Sequence, residues 1–68
     1  MRVKLNPQQL AAHYVQQAYD MAYTAKVELQ DAELEDPRLN PALMAETHAK
    51  IKELLRSLVE LGAKPQKH

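Results

Sequence analysis

The tripeptide Leu-Asn-Pro occurs twice, at Leu5-Asn6-Pro7 and at Leu39-Asn40-Pro41. Each copy carries the chemistry of a helix start. Asn is a strong N-cap because its side-chain oxygen accepts one of the backbone N–H groups that the first turn leaves unpaired. Pro suits the next position, where φ is already helical and no N–H is needed. The Leu ahead of each cap can pack on the fourth helical residue, here Leu10 and Met44, as a hydrophobic staple. Gln9 adds the third-position partner of a capping box at the first site.

The stop signals are equally local. Asp36-Pro37 ends the first helix, since the residue before Pro disfavours the α region. Gly62, with Pro65 beyond it, ends the second. The spacing predicts a first helix from Pro7 to about Leu34, a turn over 35–40, a second helix from Pro41 to about Leu61 and a basic tail over 62–68, all in one domain. At 1.5 Å per residue the helices are roughly 42 and 32 Å long. A turn this short folds them back as an antiparallel hairpin. The thirty-four-residue spacing is not a solenoid period, because each unit holds one helix where a helical repeat needs two.

The apolar residues decide whether that hairpin is complete. In the first helix Ala11, Ala18, Ala25 and Ala32 recur every seven residues, flanked by Tyr14, Val15, Met21, Ala22 and Leu29. This is a heptad pattern with small residues in the seam, and it places Tyr14 in the core. A second stripe runs beside it through Ala12, Tyr19, Tyr23 and Val27. The second helix carries bulk: Leu43, Met44, Ile51, Leu54, Leu55, Leu58, Val59 and Leu61. Its apolar arc spans roughly 160°, wider than one neighbouring helix covers. The chain has 68 residues, no Cys, no Phe and no Trp, and ten of its apolar residues are Ala. A chain so short rarely builds a sufficient core alone, and disulfides are excluded, so self-association is the expected remedy. The predicted fold class is all-α: an antiparallel two-helix hairpin that pairs into a homodimeric four-helix bundle, with Tyr19, Tyr23, Val27, Leu54, Leu55 and Val59 as the interface toward itself or a partner. In architecture the pattern resembles small helical-hairpin dimers, among them plasmid RNA-binding bundles with Ala and Leu core layers, a likeness that carries no function.

Charge is balanced overall, with nine Lys plus Arg against nine Asp plus Glu. Bulk attraction to nucleic acid or an anionic membrane is therefore not expected. The layout is uneven. Glu28, Asp31, Glu33, Glu35 and Asp36 crowd the end of the first helix, and Asp31, Glu33, Glu35 and Asp36 form a candidate acidic docking tip. Arg2, Lys4, Lys64, Lys67 and His68 fall at the opposite end. No apolar run is long enough to span a membrane, and the first residues lack the apolar stretch of a secretory signal, which leaves the cytoplasm as the expected location.

Catalytic and metal-binding patterns are missing. His13 and His48 have no Glu three residues before them, and no His-Glu-x-x-His pair occurs. His48 reads as a polar rim residue. Ser57, Thr24 and Thr47 have no activating neighbour, and a two-helix hairpin offers no pocket of its own. With one Gly, no phosphate-cradling loop can form. No cofactor and no enzymatic activity are expected. The reading is a small protein–protein interaction module, an adaptor, regulator or assembly chaperone. One alternative is a heteromeric subunit (an export chaperone, antitoxin or phage-type inhibitor) whose apolar face a larger partner completes. The other is an RNA-binding bundle using Lys50, Lys52 and Arg56, a use opposed by Glu46, Glu53 and Glu60 on the same helix.

Overall fold

The computed structural model describes residues 6–66 and contains two helices, α1 (Pro7–Glu35) and α2 (Pro41–Glu60), packed as an antiparallel hairpin. Both starts form as their chemistry requires. At the first, the Gln9 N–H donates to Asn6 Oδ1 at 2.8 Å and the Asn6 N–H donates back to Gln9 Oε1 at 3.1 Å, a complete capping box. At the second, the Leu43 N–H donates to Asn40 Oδ1 at 3.2 Å. Asn40 holds a left-handed φ of 31°, a conformation Asn tolerates better than most residues. The turn before it is tied by the Arg38 N–H on Asp36 Oδ1 and the Leu39 N–H on the Asp36 carbonyl, each at 3.1 Å. Leu5, of the first expected staple, and Arg2, Lys4, Lys67 and His68, of the expected basic end, lie outside the described residues.

The end of α2 is a Schellman motif. The Gly62 N–H donates to the Val59 carbonyl at 2.9 Å and the Ala63 N–H to the Leu58 carbonyl at 3.0 Å. Gly62 takes φ 119°, which a side chain would strain. The turn folds Ala63 onto Leu58, and with Tyr19 these three form the buried cluster of the molecule. Val15, Ala18, Ala22, Tyr23 and Leu55 pack around it. Met44 is buried separately, near the turn.

This packing corrects part of the expected seam of α1. Tyr14 and Met21 are each 62% exposed, and Ala11 and Ala25 are exposed too. The face turned to α2 keeps Val15, Ala18 and Ala22 of that seam and adds Tyr19. Tyr19, assigned by sequence to the side stripe, is 5% exposed. The physical reason is area: an alanine seam buries little, whereas a Tyr ring buries much and its hydroxyl can be satisfied. In α2 the inward line is Met44, Ile51, Leu55 and Leu58, while Leu43, Leu54 and Leu61 stay exposed. The wide apolar arc is thus split between an inner and an outer stripe.

Register follows from one contact between the helices and two between α1 and the tail. Gln16 pairs with Lys64, Tyr19 with Gln66, and Glu33 faces His48. The first turns of α1 therefore extend past the end of α2, and all residues from Asn6 to Tyr14 are exposed. The accessible surface is 5950 Å². A compact monomer of 7.8 kDa shows about 4,400 Å².

The core assignment has a direct check by urea unfolding at one fixed protein concentration, followed by circular dichroism. Leu58→Ala lowers stability by about 2–4 kcal/mol through lost burial and a residual cavity. Leu34→Ala, at a site 80% exposed, stays within about 0.5 kcal/mol of the parent.

Candidate functional site

The hairpin has two unlike sides, each marked by a groove between the helices. The grooves correct the expectation that a hairpin offers no concave surface. On one side Lys26, Gln30 and Glu33 of α1 meet His48, Lys52 and Leu55 of α2 around an open groove of about 430 Å³. On the other, Leu29 of α1 meets Leu43, Met44 and Thr47 of α2, with Leu39 and Asn40 of the turn, around one of about 210 Å³.

The polar groove gathers cations but does not form an anion site. Lys26 Nζ lies 5.5 Å from the centre of the Tyr23 ring, a cation–π contact. Glu33 Oε1 stands 3.9 Å from His48 Nε2, placing a carboxylate among the positive groups. Lys26 and Lys52 line the same groove, so Glu33 offsets part of their charge. His48 is half-buried, as a rim residue should be, yet its Nε2 is shut from solvent without a hydrogen bond in reach. His13 lies exposed near the far end of α1, with its ring centre 5.8 Å from that of Tyr14. Among the described residues no three His, Asp or Glu side chains group to hold a metal ion.

The interface residues inferred from sequence do not gather on one surface. Tyr19 and Tyr23 stack with ring centres 6.3 Å apart, and Tyr19 is enclosed within the hairpin, so that pair belongs to the internal packing. Leu55 joins the same packing. On a 100°-per-residue wheel Val27 and Val59 fall on the polar-groove side, and Leu54 on the opposite side beside Leu43 and Leu61. The acidic residues Asp31, Glu33, Glu35 and Asp36 are all exposed at the turn end of the hairpin. Glu33 faces His48 across the hairpin, and Asp36 caps the turn.

What sequence reasoning missed is which residues form the uncovered apolar side. Leu43, Leu54 and Leu61 project within roughly 20° of one another on the wheel. Tyr14, Met21 and Ala25, from the heptad first assigned to the internal seam, lie on the corresponding flank of α1. The shared groove of Leu29, Leu43 and Thr47 shows that the two flanks adjoin. The signal was present in the sequence as two adjacent stripes per helix; nothing local says which stripe turns inward. Of the three cations named for RNA contact, Lys50 pairs with Glu46 at 3.3 Å and Arg56 with Glu53 at 3.9 Å. Those pairs reduce the free positive charge a phosphate backbone would meet.

Comparison with known proteins leaves the surface to be read on its own terms: no protein-family model, curated protein or solved structure matches the chain. No helix among the described residues is long and apolar enough to cross a membrane.

The tail is the second feature sequence did not foretell. The Lys64 N–H donates to Gln16 Oε1 at 2.7 Å, Gln16 Nε2 donates to the Lys64 carbonyl at 3.3 Å, and the Gln66 N–H donates to Tyr19 Oη at 3.1 Å. These bonds lay residues 64–66 against α1. Tyr19→Phe keeps the ring and removes the acceptor, at a cost of about 0.5–1.5 kcal/mol. Amide hydrogen exchange reads the effect: Gln66 exchanges faster in the variant, and an unchanged rate would show that the bond does not anchor the tail.

Proposed function

We propose that this protein is a non-enzymatic protein–protein interaction module, a small cytoplasmic adaptor, regulator or assembly chaperone that works as a homodimeric four-helix bundle. One observation carries the reading: an apolar side, with Leu61 at 69% exposure and Tyr14 and Met21 at 62%, is left uncovered by the hairpin's own packing. Isolated exposed apolar residues are ordinary, but a contiguous patch flanked by polar residues marks an interaction surface. Glu28 and Lys50 lie at the edges of this one by helical position.

A heteromeric reading keeps the same side and changes the occupant. A partner protein presenting an apolar surface would complete the bundle, and the exposed carboxylates at the turn would then favour a basic rim on that partner.

Thermal unfolding at several concentrations tests the reading, because a melting temperature rises with concentration only when folding is coupled to association. The parent's melting temperature rises over a hundredfold concentration range. Leu54→Glu, on the apolar side, loses that dependence and melts lower. Leu34→Glu, on the opposite side, retains it. Equal behaviour of the two variants would separate function from this surface.

A further inference from the structure

The proposed function leaves open how two copies meet. Resting on that reading, we infer that two hairpins pack tip to tail across the apolar side, each inserting Tyr14 into the groove of about 210 Å³ beside the partner's Leu29, Leu39 and Leu43.

Area supports a second copy as the occupant. The 5950 Å² of accessible surface exceeds that of a compact monomer by roughly 1,600 Å². Granting the seven residues outside the description their full extended-chain area still leaves an excess of about 650 Å². A standard interface removes about 800 Å² from each partner. One further copy of this chain is therefore enough to bring its surface into the normal range.

Geometry supports the orientation. The contacts of Gln16 with Lys64 and of Glu33 with His48 place Leu43 and Thr47 beside the last turn and a half of α1. Tyr14 lies about 27 Å from that groove along the axis, counting 1.5 Å per residue. A two-fold axis midway between them, beside Met21 and Ala25, places each Tyr14 over the partner's groove. It also covers the exposed start of α1, residues 7–14, with the partner's turn. The exposed Ala25 then lies where the two α1 helices cross, and its small side chain permits close approach.

Charge favours the same choice. Glu28, Asp31, Glu35 and Asp36 are exposed at the turn end of each hairpin. A tip-to-tip dimer sets the two acidic ends side by side, and like charges juxtaposed at an interface weaken it. Tip-to-tail packing separates them.

The chain has no Cys, so single-cysteine variants report orientation cleanly. Chains carrying Tyr14→Cys and Leu43→Cys are mixed, oxidised and analysed by mass spectrometry. The expected product is the mixed 14–43 disulfide, in excess over 14–14 and 43–43. Predominant 14–14 or 43–43 disulfides, or no cross-link, would overturn the tip-to-tail arrangement. Sedimentation equilibrium of Tyr14→Ala supplies the second reading: the dimer dissociation constant rises at least about tenfold, with helicity retained at concentrations where the dimer still forms, as for a buried Tyr anchor. An unchanged dissociation constant overturns the role of Tyr14. A parent chain that is monomeric at every concentration, yet fully helical, removes the second copy as occupant; the heteromeric form of the interaction reading would survive that outcome.

Discussion

One helix covers only a limited arc of its neighbour, and that limit governs this molecule. The apolar arc of α2 spans roughly 160°, which a single antiparallel partner cannot cover. α1 takes the line of Met44, Ile51, Leu55 and Leu58, and Leu43, Leu54 and Leu61 are left at the surface. α1 is divided in the same way, with Val15, Tyr19 and Ala22 inward and Tyr14 and Met21 outward. Because both leftovers fall on the same side, the hairpin gains an apolar side and a polar side. The division into faces, more than any single residue, determines what the chain can do.

The inner stripe wins on burial and on polar satisfaction together. Tyr19 brings a ring to the Leu58–Ala63 cluster and a hydroxyl that accepts from the Gln66 backbone. The alanine heptad could allow closer helices but removes far less surface from water. The C-terminal turn is part of this choice, since the Schellman motif at Gly62 folds Ala63 onto Leu58 and directs residues 64–66 along α1. A local backbone signal at one end of α2 thereby helps select the inward face of α1.

The helices and their ends were legible in the sequence because caps act over three or four residues. Asn6 with Gln9, Asn40 with Pro41, and Gly62 each act locally, and their structure follows their identity. The rotation of α1 was not legible. Two apolar stripes lie side by side on it, and the contacts that hold the Tyr19 stripe inward come from far along the chain, Gln66 being 47 positions from Tyr19. The candidate interface inherited that ambiguity: Tyr19, Tyr23 and Leu55 are internal, Leu54 is on the apolar side, and Val27 and Val59 face the other way. The pairing of Glu33 with His48 was hidden for the same reason, as it depends on the register of the two helices.

The central claim is that the apolar side is covered when the chain is in its stable state. Molar mass by light scattering across a concentration series, with helicity measured on the same samples, addresses it most directly. The account predicts a highly helical species at twice 7.8 kDa, with helicity falling as dilution dissociates it. A fully helical 7.8 kDa monomer at every concentration would contradict it, because the hairpin would then be stable with its apolar side in water.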